Sequence, residues 1–469
     1  MENILNELID NYQEDMISDI KELVKIPSIL DENTVGENAP FGRNVRCALD
    51  EVISISKKLG FDVKDYDGYA ASVKLGKEGR EVGVLCHADV VPVDDKWNTE
   101  PFEAVIKEGK IYGRGTVDDK GPLVAVLYAM KAIKESGLPV EGCVNHIIGC
   151  NEETGHKCIK YYLEHEKQPE IGFSPDGLFP VIHGEKGIIR YTIVKRIAQE
   201  EPRVIIKKIC AGTVVNVVPD SAKVWLGGGS ADLNKIEEAF SRFETKCKKK
   251  CVWENETCLR LEFGGISAHA MQPWLGENAI LPMLEFLHDL SEIEYDMKCF
   301  LGSLETLYGD GWKGENMGIS CADKLSGDLS QNMGVFQFEK GMAEVRVDVR
   351  CPIHADLEMV WKTIRINCEK YGLGLSCQEM RKPLYIPKEA ALVEKLLSVY
   401  HEMTGDCKEA ITIGGGTYCR DVEGFVSFGP VFPYEKEVAH EANEYIGVGE
   451  LLLFAKIYAQ ALYALIKPK

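Results

Sequence analysis

The sequence lacks the features by which membrane proteins and secreted proteins are recognised. No apolar run approaches the roughly 18 residues that a membrane-spanning helix requires. Residues 1–26 are acidic and helix-periodic, without the basic start and apolar core of a signal peptide. The sequence alone therefore predicts a cytoplasmic protein that does not associate with a membrane.

Positive charge is also scarce. The chain has 54 Lys and Arg residues against 74 Asp and Glu residues, a net charge of −20. Such a charge repels nucleic acid and anionic membrane surfaces, so neither is expected as a partner. There are sixteen cysteines but no Cys-x-x-Cys pair, so a zinc knuckle is not favoured. In a reducing compartment we expect these thiols to be mostly small core residues.

The length of the chain, 469 residues, exceeds what one hydrophobic core usually supports, so two domains are expected. Residues 1–186 alternate helical and strand patterns, which predicts a mostly parallel α/β sheet with helices on both faces. Residues 187–384 read as an inserted α+β domain of two β-β-α-β-like halves. Residues 385–469 return to the α/β pattern and are expected to complete the first domain.

Hydrophobic periodicity predicts the individual elements. In the first domain it predicts helices over 3–25, 44–59 and 120–135. In the inserted domain it predicts strands over 188–194, 214–225, 257–263, 334–338, 342–350 and 373–378, with helices over 232–246, 279–290 and 355–371. A glycine-rich loop is expected over residues 302–332.

Acidic and imidazole side chains follow two predicted buried strands. The strand over 82–86 ends at His87, and the strand over 144–150 ends just before Asn151, Glu152 and Glu153. In parallel α/β sheets, ligands bind in the crevice beyond the carboxyl ends of the strands. Two polar clusters from distant parts of the sequence are therefore expected to face one crevice.

Together with Asp118, Asp176 and His440, these clusters contain the ligand types that a pair of divalent cations needs. Such a pair activates a water and polarises a carbonyl group, and it needs a bridging carboxylate and a free carboxylate that moves a proton. Asp89 lies two residues after His87 in an extended segment, so its side chain is expected to hold the second ring nitrogen of His87.

Each motif alone also has an ordinary structural explanation. Asp118 and Asp119 precede a predicted helix and could be a plain N-cap. Glu152 and Glu153 could be an exposed first turn of a helix, and Asp176 could be a turn residue. Their joint occurrence, in this order and after strands, favours the metal site.

Four short strings carry a resemblance to the dinuclear zinc peptidases, a family of aminoacylases, succinyl-diaminopimelate desuccinylase, carboxypeptidase G and PepV-type dipeptidases. These strings are CHADVVP (86–92), GRGTVDDKG (113–121), NEETG (151–155) and SPDG (174–177). Further matches are SAHA (267–270), GENA (276–279) and GGGT (414–417), so the resemblance covers almost the whole chain.

The resemblance implies a role for each matching metal ligand. Asp118 would bridge two divalent cations, with a cis peptide bond after it. One cation would take His87 and Asp176 as further ligands, and the other would take Glu153 and His440. The cations are expected to be Zn²⁺, with Mn²⁺ or Co²⁺ as alternatives.

The resemblance also implies the catalytic residues. Glu152 would be the general base that activates the bridging water and later protonates the leaving amine. Asp89 would support the metal ligand His87. His269 matches the lid histidine of the family, which reaches the oxygen of the scissile carbonyl.

The same resemblance implies contacts with the substrate. Asn216 and Arg350 resemble residues that contact the transition state and the C-terminal carboxylate of a dipeptide. A salt bridge at the end of a strand is the alternative role for Arg350. The backbone N–H groups of Gly415 and Gly416 are expected to contact the same carboxylate. The remaining histidines are predicted to be structural: His146, His156, His165, His183, His288, His354 and His401.

The length of the insertion favours one activity over another. Nearly 200 residues separate the two parts of the catalytic domain, which resembles the PepV-type dipeptidases, whose second half-domain stands in for a partner's lid. We therefore expect a monomeric dipeptidase that acts on unblocked dipeptides. An N-acyl-amino-acid deacylase and a non-catalytic, metal-dependent binding protein are the alternatives.

Overall fold

The computed structural model describes residues 2–198, 202–309 and 311–468, and the chain forms two compact units. The first unit comprises Met1–Gly184, Tyr385–Thr412 and Gly416–Lys469, and the second comprises Glu185–Leu384 and Ile413–Gly415. The second unit therefore includes a short segment, Ile413–Gly415, that the sequence pattern assigns to the catalytic domain. As a result, Gly415 and Gly416 belong to different units.

The first unit begins with three helices, α1 (Asn3–Asn11), α2 (Gln13–Val24) and α3 (Arg43–Lys58). The single helix predicted over 3–25 is interrupted at Tyr12, whose ψ of 2° departs from helical geometry. The following elements are β1 (Asp62–Tyr66), β2 (Ala70–Leu75), β3 (Glu81–His87), β4 (Val105–Lys107), β5 (Lys110–Tyr112), α4 (Lys120–Ser136), β6 (Cys143–Gly149), α5 (Lys157–His165), β7 (Ile171–Ser174) and β8 (Ile182–Glu185).

The second unit is built on one antiparallel sheet. Its elements are β9 (Gly187–Arg196), β10 (Val204–Ala211), β11 (Ser221–Gly228), α6 (Ser230–Arg242), β12 (Lys249–Asn255), β13 (Cys258–Gly264), α7 (Ile280–Asp289), α8 (Tyr295–Tyr308), β14 (Ala322–Asp323), β15 (Gly327–Asp328), β16 (Ser330–Glu339), β17 (Met342–Cys351), α9 (Leu357–Lys370) and β18 (Gly374–Arg381). The strand order is β12-β13-β11-β10-β16-β17-β9-β18. Pairing of β10 with β16 joins the two half-domains in one sheet with a common hydrophobic core.

Several elements of the second unit differ from the sequence prediction, including β10, which the hydrophobic pattern did not predict. The strand predicted over 214–225 begins only at Ser221, because Val214–Pro219 forms a loop and Pro219 cannot donate to a sheet ladder. The edge strand β12 was missed because it begins in a lysine-rich run, a polarity that is typical of exposed edges. Helix α8 overlaps the start of the predicted loop over 302–332.

The chain returns to the first unit through β19 (Leu384–Tyr385), α10 (Ala391–Thr404), β20 (Ile411–Ile413), β21 (Phe425–Ser427), β22 (Tyr445–Gly447) and α11 (Val448–Ile466). The large sheet has the order β1-β2-β6-β3-β7-β21-β8-β19, and β20 pairs with β8. Its central strands β6, β3, β7 and β21 run parallel, whereas β1, β2 and β8 pair antiparallel to their neighbours. The predicted mostly parallel α/β fold is confirmed.

Helix α11 is long and apolar enough to cross a membrane by length and composition, with a mean hydropathy of 1.3 over its most apolar stretch. The expectation that no such stretch exists was wrong, because Glu450 and Lys456 break the apolar run without lowering its average below that of a span. A share of 61% of this stretch is buried inside the protein, where α11 packs against α4. Buried core helices have the same composition, so α11 is weak evidence for a membrane span.

Candidate active site

The predicted metal ligands follow the carboxyl ends of the central strands. His87 is the last residue of β3, Glu152–Glu153 follows β6, and Asp176 follows β7. Asp118 lies in the turn that leads into α4, and His440 lies in the loop before β22. Because β3, β6 and β7 are parallel, their carboxyl ends meet at one edge of the sheet. The fold thereby brings all six residues into one cluster.

Asp118 lies between two imidazole rings. Its Oδ1 is 2.9 Å from Nε2 of His87, and its Oδ2 is 3.0 Å from Nε2 of His440. Each oxygen of this one carboxylate therefore has its own histidine partner. That is the arrangement expected of a carboxylate shared by two cations.

The other predicted ligands complete two groups around this carboxylate. Nε2 of His440 lies 3.1 Å from Oε2 of Glu153, and Nε2 of His87 lies 3.8 Å from Oδ2 of Asp176. Ligand atoms of His87, Asp118 and Glu153 also lie within 4.8 Å of one another, as do those of His87, Glu152 and Asp176. The donors are imidazole nitrogens and carboxylate oxygens, the ligand types that Zn²⁺ and similar cations prefer.

The electrostatics of the cluster also fit bound cations. Burial and then the charge of Asp118 raise the pKa of Asp176 well above its usual value, and the same two causes raise the pKa of Glu153 to about 7. Burial also disfavours the charge of Asp118, but hydrogen bonds from His440 and His87 outweigh it and lower the pKa of Asp118. Several buried carboxylates cannot all be ionised at close range without positive charge among them. Divalent cations would provide that charge.

Asp89 supports the cluster in a different way from the one predicted. Nδ1 of His87 donates to the backbone carbonyl oxygen of Asp89 at 2.9 Å, whereas Oδ1 of the Asp89 carboxylate lies 3.6 Å from that ring nitrogen. That carboxylate accepts hydrogen bonds from the backbone N–H groups of Glu152 at 3.1 Å and Glu153 at 3.2 Å. The carbonyl therefore fixes the tautomer of His87 that leaves Nε2 available, and the carboxylate holds the Glu152–Glu153 backbone.

The turn after Asp118 has the geometry that the resemblance implies. The Asp118–Asp119 peptide bond is cis. The Asp119 carboxylate accepts a hydrogen bond from the backbone N–H of His87 at 3.1 Å. Asp119 thus connects the turn before α4 with the end of β3.

Sequence reasoning missed Glu444, which organises the loop that carries Asp118. Its carboxylate accepts hydrogen bonds from the backbone N–H groups of Gly115 at 3.0 Å, Val117 at 2.9 Å and Asp118 at 3.2 Å. It also pairs with Arg114, which donates to the carbonyl oxygen of His440 at 3.3 Å. The only sequence signal was the position of Glu444 four residues after His440.

Sequence reasoning also missed His156, which was predicted to be structural. Its Nε2 lies 3.1 Å from Oε1 of Glu152, and its Nδ1 bonds the carboxylate of Asp421. The carboxylate predicted to be the general base therefore has a specific imidazole partner. Glu152 and His156 are only four residues apart, but the contact with Asp421, 265 residues further along the chain, has no local signal in the sequence.

The predicted substrate contacts are divided between the two units. Asn216 and His269 belong to the second unit and lie on neighbouring segments, because Val217 bridges to His269 and Ala270 donates to the carbonyl oxygen of Asn216 at 2.8 Å. The side chain of His269 is exposed, and its Nδ1 accepts from the backbone N–H of Met271 at 3.1 Å.

Arg350 is buried in the second unit and has protein partners. Its Nε and Nη2 donate to the two carboxylate oxygens of Asp348 at 2.5 and 3.0 Å, and its Nη1 donates to the carbonyl oxygen of Gly414 at 3.0 Å. The alternative role of Arg350 as a salt bridge at a strand end is thus present. Within the described part of the chain these bonds use three of the five guanidinium N–H groups, which leaves two for a ligand.

A cavity of about 280 Å³ lies in the first unit. Most of its walls are apolar, and they carry one lysine and two glutamates: Leu178, Phe179, Pro180, Lys408, Ile411, Val431, Phe432, Pro433, Glu435 and Glu437. Leu178 and Val431 belong to a small apolar cluster with Val117, the residue before Asp118. Burial raises the pKa of Glu437, which also interacts electrostatically with His440 and Asp118. The cavity therefore adjoins the loops that carry the predicted metal ligands Asp118 and His440.

Most of the chain is similar to a known protein family. The sequence profile of peptidase family M20/M25/M40 matches residues 83–464. The chain belongs to this family. The match includes every predicted metal ligand, from His87 to His440, and confirms the resemblance read from the motifs.

Relatives of the chain extend over its full length. A Bacillus subtilis (strain 168) protein named "Putative dipeptidase YtjP" is 36% identical over 463 residues, which are 97% of this chain and 98% of that protein. A Staphylococcus epidermidis protein named "Putative dipeptidase" is 35% identical over 98% of each chain.

Solved structures share the fold at lower identity. Human carnosine dipeptidase 1 matches with a TM-score of 0.60 at 16% identity, and 98% of each chain is covered. The dipeptidase Dug1p of Saccharomyces cerevisiae matches with a TM-score of 0.61 at 15% identity and the same coverage. These structures confirm the fold class, and family membership identifies the chain as a peptidase that uses divalent cations.

Proposed function

We propose that this protein is a metal-dependent dipeptidase that hydrolyses the peptide bond of unblocked dipeptides. The observation that carries the proposal is the position of Asp118 between His87 and His440, with Glu152 in the same cluster. The relatives named as dipeptidases, which match the chain over its full length, favour the same substrate class.

The proposed ligand sets follow the distances around Asp118. His87 and Asp176 would hold one cation, Glu153 and His440 would hold the second, and Asp118 would be shared. A bound pair of Zn²⁺ ions would polarise the scissile carbonyl and acidify a water. Mn²⁺ and Co²⁺ accept the same donors, so the choice of Zn²⁺ is part of the proposal.

The proposed base is Glu152. Its carboxylate would take a proton from the attacking water as the oxygen bonds to the carbonyl carbon. It would then give that proton to the amine nitrogen as the C–N bond breaks. Asp89 would support this task by fixing the backbone of Glu152 through the hydrogen bond at 3.1 Å.

We assign the free amine of the substrate to Glu437. A dipeptide carries a positive ammonium group next to its first side chain, and the cavity combines apolar walls with this carboxylate. An N-acylated amino acid lacks that charge and would gain nothing from Glu437. This difference favours dipeptides over the substrates of a deacylase.

The remaining contacts are proposed from the family resemblance. His269 would contact the oxygen of the scissile carbonyl, and Asn216 would contact the transition state. Arg350, with its two remaining N–H groups, would bind the C-terminal carboxylate together with the backbone of Gly415 and Gly416. We also propose that the protein acts as a monomer in the cytoplasm. Size-exclusion chromatography with light scattering and cell fractionation would test these two points.

The test compares Glu152→Ala with the wild-type protein. We expect the variant to lose dipeptide hydrolysis by at least about 10²-fold while it keeps its metal content, measured by elemental analysis. Glu164→Ala, which removes an exposed carboxylate from α5, is the matched control and should keep full activity. Retained activity in Glu152→Ala would exclude Glu152 as the base.

A substrate panel separates the two enzymatic functions. Wild-type protein should hydrolyse free dipeptides faster than N-acetyl amino acids. The opposite preference would identify a deacylase. No turnover of either class at full metal content would favour a non-catalytic binding protein.

A further inference from the structure

The imidazole of His156 connects two carboxylates. Its Nε2 lies 3.1 Å from Oε1 of Glu152, and its Nδ1 bonds Oδ2 of Asp421. Asp421 ends a short 3-10 helix, Tyr418–Asp421, in the last third of the sequence. The connection therefore joins the loop after β6 to a segment that follows β20.

Several contacts fix the position of this ring. The backbone N–H of His156 donates to the carbonyl oxygen of Asn151 at 2.7 Å, and the Asn151 side chain accepts from the N–H of Lys157 at 3.0 Å. The ring of Tyr418 packs edge-on against the imidazole at a centroid distance of 5.2 Å. The side chain of His156 is only 5% exposed, so the loop and the aromatic ring leave it little freedom.

The contacts also fix the charge of the ring. Burial disfavours a charged imidazole, but the hydrogen bonds to Asp421 and Glu152 outweigh it and raise the pKa of His156 to about 9. A ring with a proton on both nitrogens can donate one hydrogen bond to each of the two carboxylates. Hydrogen bonds between charged partners are stronger and more directional than neutral ones.

We propose that His156, anchored by Asp421, is a positioning residue that holds the carboxylate of Glu152 in the orientation needed for proton transfer. This inference rests on the proposed role of Glu152 as the base. The imidazole fixes one oxygen of Glu152 through Nε2, while Asp421 prevents the ring from turning away. The alternative is that His156 only ties two loops together.

Two substitutions separate these roles. The side-chain amide of His156→Gln places a donor near the position of Nε2, so the contact with Glu152 is kept and the contact with Asp421 is lost. The amide of His156→Asn places a donor near the position of Nδ1, with the reverse effect. We expect kcat to fall about 10- to 100-fold in His156→Asn and clearly less in His156→Gln, with KM and metal content unchanged in both.

A control variant and two outcomes decide the question. The control is His165→Asn, at the end of α5. The one hydrogen bond described for the ring of His165 goes to the carbonyl oxygen of Tyr161, so this variant should keep wild-type kcat. Equal kcat in His156→Asn and wild type would overturn the inference. A loss of kcat that matches a loss of metal or of folded protein would overturn it as well.

Asp421→Ala provides a second variant at a partly exposed position. It should lower kcat in the wild-type background, and it should have no further effect in the His156→Asn background, because it acts through His156. Additive losses would contradict this. The result is separable from the proposed function: inactive Glu152→Ala with fully active His156 variants would overturn only the role of His156.

Discussion

Arg114 and Glu444 form a fully buried ion pair across 330 residues of sequence, with Nη1 of Arg114 at 2.7 Å from Oε2 of Glu444. The pair joins the loop of Asp118 to the loop of His440, because Glu444 accepts from the N–H of Asp118 and Arg114 donates to the carbonyl oxygen of His440. The positions of Asp118 and His440 therefore depend on an ionic contact that the side chain of neither residue makes.

Removal of one partner of this pair is expected to be costly. Glu444→Ala would leave the Arg114 charge and three backbone N–H groups buried without their acceptor. We expect a loss of about 3–5 kcal/mol in the free energy of unfolding, measured by urea denaturation. Glu22→Ala, which breaks the exposed pair of Glu22 and Lys25, is the control and should cost less than about 1 kcal/mol. Equal effects of the two substitutions would contradict the structural role of Glu444.

The shared position of Asp118 predicts the metal content of two variants. Asp118→Ala should lose both cations, because its two oxygens face the two ligand groups. Asp176→Ala should keep about one of the two cations, because the ion pair described for Asp176 is with His87 only. Elemental analysis of dialysed protein measures both values. Two retained cations in Asp118→Ala would exclude it as the bridging ligand.

The role of Glu437 predicts a change in substrate preference. Glu437→Gln keeps the size of the side chain and removes its charge, so the ammonium group of a dipeptide loses its partner. We expect kcat/KM for dipeptides to fall about tenfold, whereas slow hydrolysis of N-acetyl amino acids stays unchanged. Glu435→Gln, at a neighbouring residue of the same cavity, is the matched comparison. An equal fall for both substrate classes would contradict amine recognition by Glu437.

His146 predicts a loss of stability in acid. It lies in β6 between Val73 and Val84, and within the described part of the chain neither ring nitrogen has a hydrogen-bond partner. Burial lowers its pKa from 6.5 to about 3. Below pH 6.5 the unfolded chain binds a proton at His146 that the folded protein does not bind. His146 therefore costs no stability above pH 6.5, but it lowers the free energy of unfolding as the pH drops from 6.5 towards 3.

The expected loss between pH 7.5 and pH 5.5 is about 1.4 kcal/mol for this one group. His146→Leu cannot bind the proton, so its stability should fall less than that of the wild type over the same interval. Urea denaturation at both pH values measures the difference between the two proteins. Parallel losses in wild type and variant would show that His146 does not titrate in this way.

Much of the site could be predicted from the sequence, because its signals are local. His87 and Glu152–Glu153 end buried strands, and the topology of a parallel sheet brings such ends together. Prediction failed where local pattern and tertiary role differ. Strand β12 has the polarity of an exposed edge, and the carbonyl oxygen of Asp89, rather than its carboxylate, binds His87.

The sequence by itself determined the inventory: two histidines and a set of carboxylates at strand ends, and the alternation of elements that places those ends at one edge. Only the tertiary structure decided the pairings, such as which oxygen of Asp118 faces which histidine, and the contacts of Glu444 with Arg114 and of His156 with Asp421. The physical reason is range. Hydrophobic periodicity acts over a few residues, whereas hydrogen bonds and ion pairs form between whichever groups the folded chain brings within about 3 Å of each other.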